Sequence, residues 1–261
     1  MKVALIQPSL AWCDASENIS RIERYIASAP TAELYVLPEM WSTGFVIEAQ
    51  DVARTEQECE ALAWMCRTAR ERDCAIAGSL VIREGEQFYN RMYFVTPEGV
   101  AARYDKYHLF RLGGETKRYT AGNKRVVIEW RGVRFLLQVC YDVRFPVFSR
   151  NRLVERRAEY DVAIYVASWP TERLEVWQKL IVARAIENQA YVVAVNRTGT
   201  DAYCSYSGGS ICVNGEGDIV ADAADRTGIT MADIDMIALG ELRRRFPTLC
   251  DADEVLLQLN H

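Results

Sequence analysis

Histidines, paired cysteines and long apolar runs are scarce or missing in this 261-residue sequence, and each absence excludes a class of protein. The only histidines are His108 and His261, and none of the eight cysteines forms a C-x-x-C pair, so the spacing of a structural zinc site is missing. No stretch reaches the roughly 18 consecutive apolar residues that a membrane helix needs. We therefore expect no metal, no other cofactor and no membrane partner.

An excess of positive charge is also missing. The formal net charge is -5, which makes a nucleic acid a poor candidate partner. The apolar N-terminus "MKVALIQPSLAW" is interrupted by Gln7 and Pro8, which leaves it too short for the apolar region of a signal peptide. A chain of this length needs no disulfides to build a core, so the cysteines favour reduced thiols and a cytoplasmic location.

The elements that are present alternate between strands and helices. "KVALIQP" and "ELYVLPE" are typical of buried strands, "ASENISRIERYIASA" of an amphipathic helix, and "VVIEWRGVRFLLQVC" of a hairpin that turns at Arg131-Gly132. We also predict a helix over "VFSRNRLVERRAE", residues 147–159. This mixture predicts one α/β domain, built as a layered sandwich with helices outside two packed, mixed sheets.

Three polar side chains come directly after segments that are predicted as strands. Glu39 follows "YVLP", Lys106 follows "ARYD" and Cys140 follows "LLQV". Because sites in open α/β sheets lie at strand ends, these three residues are expected to converge on one rim. Each also has a simpler interpretation: a small core thiol, a capping carboxylate or a solvated surface charge.

A cysteine nucleophile needs activation, since a free thiol is mostly protonated at neutral pH. Glu39 is a candidate base for the Cys140 proton, and Lys106 is a candidate for stabilising the thiolate and an oxyanion. The backbone N–H of Tyr141 is a candidate second oxyanion donor. These groups fit the cleavage of an amide or nitrile through a thioester, while a Cys–His hydrolase that uses His108 remains an alternative.

The sequence resembles the nitrilase superfamily of carbon–nitrogen hydrolases. The resemblance is carried, in this order, by "LPEMWSTGF", "YDKYHLF" and "VCYDVRFP", followed by "RAIENQAYVVAVNRTG" and "YSGGS". It implies a catalytic triad of Glu39, Lys106 and Cys140, and a further glutamate at Glu115 that orients Lys106 or the substrate. It also implies a four-layer α–β–β–α sandwich and a homodimer. The expected organisation is a single domain over residues 1–261, whose C-terminal segment, from about residue 237, is a candidate for oligomer contacts.

Within that superfamily, "NRMYFVTPEG", "DKYHLFRLGGE" and "CYDVRFPVFSRN" are most similar to bacterial ω-amidases. This implies hydrolysis of the terminal amide of 2-oxoglutaramate or 2-oxosuccinamate to the acid and ammonia. A substrate carboxylate calls for a cation, for which Arg118, Arg144 and Arg173 are candidates, and Trp169 is a candidate wall of the pocket.

Three other functions remain open: an amidase for deaminated glutathione or N-carbamoyl substrates, a nitrilase, or a non-catalytic binding protein of the same fold.

Overall fold

Two mixed six-stranded β-sheets, packed face to face, form the centre of the protein in the computed structural model, which describes residues 1–253. The first sheet has a parallel middle, since its second to fourth strands run in one direction, and antiparallel edges. In spatial order its strands are β16 (Gly228–Asp233), β1 (Lys2–Gln7), β2 (Leu34–Val36), β3 (Ala75–Glu84), β4 (Gln87–Thr96) and β5 (Gly99–Asp105).

The second sheet repeats this plan, with three parallel strands in the middle and antiparallel neighbours. In spatial order its strands are β15 (Ile219–Asp222), β14 (Ile211–Val213), β11 (Tyr191–Val195), β10 (Val162–Val166), β7 (Val133–Val139) and β6 (Val127–Trp130). The predicted hairpin between the last two strands is confirmed: Arg131 and Gly132 both have positive φ, at 48° and 74°, as a tight two-residue turn requires.

Helices cover both outer faces and complete four layers. On the outer side of the first sheet lie α1 (Ala15–Ser28) and α2 (Glu60–Arg72), and on that of the second lies α4 (Leu174–Asn188). The single-turn helix α3 (Pro146–Ser149) follows the turn at the end of β7. The helix α5 (Met236–Arg245) follows the last strand. Strand alternation explains the layering: in β1, Val3 and Leu5 pack between the sheets, while Ala4 and Ile6 pack on the helices. The α–β–β–α sandwich is thus confirmed.

The helix predicted over residues 147–159 is wrong beyond its first turn. After α3 the chain forms a small hairpin of β8 (Leu153–Val154) and β9 (Arg157–Ala158), whose turn residues Glu155 and Arg156 have φ of 50° and 65°. The buried Asn151 draws the chain away from a helix, because its amide is hydrogen-bonded to both backbone groups of Tyr160. A second small hairpin, β12 (Thr198–Thr200) with β13 (Ser205–Ser207), lies near the functional site.

The C-terminal segment contains α5 and a short 3-10 turn, Thr248–Asp251, and the part beyond residue 253 lies outside the described residues. Within residues 1–253, no helix combines the length and the apolar character that crossing a membrane would demand.

Candidate active site

The three predicted strand-end residues meet between the two sheets. Lys106 Nζ lies 2.8 Å from Glu39 Oε1, and the Cys140 thiol is hydrogen-bonded to Glu39. The side chains of Glu39 and Lys106 are fully buried, and Cys140 is 8% exposed. Lys106 and Cys140 lie 67 and 101 positions after Glu39 in the sequence. Residues that are distant along the chain therefore form one cluster, which the simpler interpretation of unrelated structural residues does not explain.

Cys140 occupies a strained position at the end of β7. Its φ of 48° lies in the left-handed region that non-glycine residues rarely adopt, and residues Cys140–Arg144 form a 3-10 turn. Such strain persists only where the surroundings hold the residue in place, and it concentrates at active sites. The turn lifts the sulfur out of the sheet toward the cavity described below.

Asp142 holds that turn from behind. Its fully buried carboxylate accepts hydrogen bonds from the backbone N–H of Val139 (2.9 Å), the hydroxyl of Tyr104 (2.7 Å) and the backbone N–H of His108 (3.0 Å). From the other side, Arg184 donates two hydrogen bonds to the carbonyl of Val143, at 3.0 and 2.7 Å. The conformation of the turn is therefore fixed by groups from several distant elements.

Glu115 joins the cluster as the resemblance implied. Its Oε2 accepts from Lys106 Nζ at 2.8 Å and from the backbone N–H of Phe110 at 2.6 Å. Lys106 thus lies between two buried carboxylates, those of Glu39 and Glu115. The ammonium is held in one place by both.

Two residues that the sequence analysis did not single out complete the cluster. The side-chain amide of Asn90, on β4, donates to Glu39 Oε1 (2.8 Å) and to Glu115 Oε1 (3.0 Å). The backbone N–H of Ser168 donates to Glu39 Oε2 at 2.9 Å and also to Cys140. The available signal for Asn90 was an amide on the same face of β4 as the apolar Met92 and Phe94. A backbone donor such as that of Ser168 leaves no signal in the sequence.

Burial sets the protonation states of the cluster. Burial and the neighbouring charge of Glu39 raise the pKa of the Cys140 thiol well above its usual range, although Lys106 opposes this effect. Burial also raises the pKa of Glu115, against the pull of Lys106. For Lys106, burial favours the neutral form, but the charges of Glu115 and Glu39 outweigh burial and raise its pKa. At neutral pH the site therefore contains an ammonium and a protonated thiol that needs a base.

Cys140 and Lys106 open onto a cavity of about 580 Å³. This volume lies within the range of roughly 300–1,000 Å³ that is typical of small-molecule sites. Acidic side chains of Glu48, Asp51 and Asp201 lie along its wall, and aromatic rings form much of the rest: Trp12, Phe45, Phe110, Tyr141, Trp169, Tyr203 and Tyr206. Trp169 is therefore a wall of the cavity, as predicted.

The three candidate arginines differ in position. Arg144 and Arg173 line the cavity, where their guanidinium groups lie 5.0 Å from the ring of Trp169 and 5.7 Å from the ring of Phe110. Within residues 1–253 neither forms an ion pair. Arg118 does not belong to the cavity lining of the described chain and instead pairs with Glu48 at 2.9 Å.

His108 lies behind the 3-10 turn of residues Cys140–Arg144. Its Nδ1 is 2.8 Å from Asp142 Oδ1, and its ring stacks on Phe145 with a centroid distance of 3.8 Å. It is not among the described residues that line the cavity. A base for Cys140 is therefore better supplied by Glu39, which contacts the thiol.

The described part of the chain contains no group of side chains that is suited to bind a metal ion. No group of three or more histidine, cysteine, aspartate or glutamate side chains in residues 1–253 is arranged to hold a metal ion. The chemistry of the site is that of a carboxylate, an ammonium and a thiol.

Comparisons with known proteins identify the family of the chain. The ω-amidase YafV of Escherichia coli is 43% identical over 98% of both chains, and the 2-oxoglutaramate amidase of Bacillus subtilis is 33% identical over 95% of this chain and 96% of that protein. The crystal structure of XC1258 from Xanthomonas campestris, a CN-hydrolase superfamily protein with an arsenic adduct in its active site, superposes with a TM-score of 0.94 at 38% identity and covers 98% of both chains. The carbon-nitrogen hydrolase family itself matches residues 2–244, and the chain belongs to this family of hydrolases.

Proposed function

We propose that this protein is an ω-amidase that hydrolyses the terminal amide of a short α-keto acid, such as 2-oxoglutaramate or 2-oxosuccinamate, through a thioester on Cys140. The observation that carries the proposal is the buried contact of Glu39 with both the thiol of Cys140 and the ammonium of Lys106. The names of the E. coli and B. subtilis relatives support the substrate class.

The first half-reaction forms the thioester. Glu39 accepts the thiol proton as Cys140 Sγ bonds to the amide carbon, which is required because the thiol is protonated in the resting site. The carbonyl oxygen becomes an oxyanion, which Lys106 Nζ and the backbone N–H of Tyr141 stabilise. At the start of the 3-10 turn this N–H has no acceptor inside the turn. Glu39 then returns the proton to the nitrogen, the C–N bond breaks and ammonia leaves.

The second half-reaction restores the enzyme. Glu39 accepts a proton from a water molecule as its oxygen bonds to the thioester carbon. The C–S bond then breaks, the sulfur takes the proton from Glu39, and the keto acid leaves with its new carboxyl group. Lys106 keeps its charge through both halves, held by its hydrogen bonds to Glu39 and Glu115, so the ammonium remains in place for each oxyanion.

The two arginines that line the cavity favour a substrate that carries a carboxylate at the end opposite its amide. Arg144 and Arg173 rest on aromatic rings and are unpaired with acids in the described residues. A guanidinium that binds a carboxylate in two parallel hydrogen bonds selects an acid over a neutral amide. We assign this role to Arg173, because Arg144 belongs to the nucleophile turn itself.

The experiment that tests the function is ammonia release from 2-oxoglutaramate, measured for the native enzyme, for Cys140→Ala and for Cys212→Ala. Cys212 is a buried cysteine of β14 far from the cluster in sequence, so its replacement controls for the loss of a core thiol. We expect no detectable turnover for Cys140→Ala and near-native turnover for Cys212→Ala. Turnover by Cys140→Ala, or a native enzyme that prefers carbamoyl amino acids or nitriles in a substrate panel, contradicts the proposal.

We further propose that the enzyme is a single-domain, cytoplasmic homodimer. Apolar side chains in α5 and directly after it support a contact surface, since Ile237 is 77% and Phe246 is 63% exposed. A mass of about one 29.7 kDa chain in light scattering contradicts the dimer.

A further inference from the structure

Asn90 is a buried amide at the centre of the site. It lies on β4 and is fully buried. The neighbouring strand β5 ends just before Lys106, whose backbone N–H donates to the carbonyl of Asn90 at 2.9 Å. The residues that follow on the same face of β4, Met92 and Phe94, are core side chains. An amide at such a position is costly unless its polar atoms are used.

The two N–H groups of Asn90 reach the same two carboxylates as Lys106. Asn90 Nδ2 lies 2.8 Å from Glu39 Oε1 and 3.0 Å from Glu115 Oε1. Lys106 Nζ lies 2.8 Å from Glu39 Oε1 and 2.8 Å from Glu115 Oε2. The four groups therefore form a closed ring in which two donors alternate with two acceptors.

An amide is the only neutral side chain that suits this position in the ring. Its nitrogen supplies two N–H donors, one for each carboxylate, whereas a hydroxyl supplies one and an apolar side chain none. A second cation would oppose the return of a proton to Glu39. The carbonyl oxygen of Asn90 has no hydrogen-bond partner within residues 1–253, which indicates that the amide is held there for its donors.

We propose that Asn90 is a positioning residue of the active site, which holds Glu39 toward Cys140 and ties it to Glu115 while Glu39 gains and loses its proton. It is not among the described residues that line the cavity, so it acts on substrate only through the two carboxylates. The inference rests on the proposed roles of Glu39 and Cys140.

The first test is the pH dependence of kcat/KM for Asn90→Leu, which keeps the size of the side chain and removes both donors. We expect kcat to fall about 30- to 100-fold with KM within about threefold, because the substrate does not contact the amide. The acid limb of the pH profile, where activity falls as the pH decreases, should move to higher pH by about one unit. The reason is that a hydrogen bond to a carboxylate favours its charged form, and the variant has lost this hydrogen bond. The titratable groups that face Glu39 and act on the same limb are Lys106, Glu115, Cys140 and Tyr119.

The matched control is Asn151→Ala, which removes another buried asparagine with comparable hydrogen bonds, away from the site. We expect it to lower the melting temperature and to leave the pH profile of the folded enzyme unchanged. If Asn90→Leu behaves in the same way, Asn90 is merely structural and the proposal is overturned.

A second readout needs no turnover. The rate of Cys140 alkylation by iodoacetamide is followed against pH by mass spectrometry of the Cys140 peptide, and the acid limb should again move upward in Asn90→Leu. If that variant does not fold, Asn90→Asp keeps the shape and adds a third carboxylate, so its limb should move further, and an unmoved limb overturns the proposal. If the native enzyme releases no ammonia from 2-oxoglutaramate, the substrate assignment fails, but alkylation still decides the role of Asn90.

Discussion

The two faces of the β4–β5 strand pair carry two clusters of charge with opposite character. Successive side chains of a strand point to opposite faces, so Asn90 and Lys106 point between the sheets, while their neighbours Arg91 and Asp105 point to the helix side. We call the first group the inner cluster (Glu39, Asn90, Lys106, Glu115 and Cys140) and the second the outer cluster (Glu56, Glu84, Arg91, Arg103 and Asp105).

The direction of the pKa shifts distinguishes the clusters. In the outer cluster, hydrogen bonding by Arg103, against some desolvation, lowers the pKa of Glu56 to about 2, so this acid is held in its preferred charged state. In the inner cluster burial raises the pKa values of Cys140 and Glu115. A cluster that raises the pKa values of its acids favours their protonated forms and is suited to moving protons. A cluster that lowers the pKa of an acid keeps it charged and is suited to stability. The comparison predicts that mutations separate activity from stability according to the face they touch.

The largest expected effect is on the inner face, in Lys106→Met. Activity should fall by at least about 10³-fold, because the oxyanion loses its cation and two buried carboxylates lose their shared partner. The measurement is kcat/KM with 2-oxoglutaramate on enzyme whose fold is verified by circular dichroism. Lys117→Met, an exposed lysine in the same loop, is the control and should retain native activity. Comparable losses of activity in both variants would contradict the view that Lys106 acts through the inner cluster.

The largest expected effect on stability is on the outer face, in Arg91→Met. Its guanidinium pairs with Asp105 (2.6 Å), Glu84 (2.9 Å) and Glu56 (3.3 Å) and is only 9% exposed. Its removal leaves the partly buried carboxylate of Asp105 without a cation, while Glu56 keeps Arg103. We expect a loss of about 3 kcal/mol in the free energy of unfolding by urea, with kcat per folded molecule within about threefold of native.

The control for Arg91→Met is Arg103→Met, whose side chain is about half exposed and pairs with Glu56 alone. It should cost about 1 kcal/mol or less. Equal losses in the two variants would contradict the view that burial makes Arg91 the centre of the outer cluster.

The convergence of Glu39, Lys106 and Cys140 was predictable from the sequence because strand ends leave local patterns, whereas their catalytic roles were implied by the resemblance to the nitrilase superfamily. Predicted strands that stop just before Glu39, Lys106 and Cys140 mark strand ends, and strands that run in one direction bring such ends to one edge. The sandwich followed from the same alternation of strands and helices. The identity of each triad member is therefore encoded within a few residues of itself.

The rest of the site depends on contacts that no local pattern encodes. The partner of Arg118 is Glu48, 70 residues away, so the sequence alone did not exclude it from the cavity. Asn90 meets Glu39 across 51 residues. Likewise the segment 147–159 has helix-forming residues, but the tertiary hydrogen bonds of Asn151 turn it into a hairpin. In this segment, the tertiary hydrogen bonds of one buried polar group overrode helix propensity.

Replacing a cavity arginine should weaken substrate binding and leave the chemical step at the inner cluster unchanged. For Arg173→Met we expect KM for 2-oxoglutaramate to rise about 10- to 100-fold with kcat little changed, the loss typical of a hydrogen bond to a charged group. A neutral amide such as butyramide should lose nothing, which provides a substrate control. Arg118→Met is the matched variant and should keep its native KM, because Arg118 is paired with Glu48. A KM change that is the same for the acid and the neutral amide would remove the carboxylate role of Arg173.

The smallest expected effect is the pH-dependent contribution of Glu56, in the outer cluster, to the free energy of unfolding. Because the pKa of Glu56 is lowered to about 2 in the folded protein from 4.5, its contribution to stability is complete above about pH 4.5 and disappears as the pH falls toward 2. Glu56→Gln should therefore cost about 1 kcal/mol at neutral pH, a value kept small because the cluster is partly open to solvent. The difference between native protein and variant, followed by urea unfolding at several pH values, should shrink between pH 4.5 and 2. A difference that stays constant across this window would mean that Glu56 acts through packing and not through its charge, and the outer cluster would then no longer be the electrostatic counterpart of the inner one.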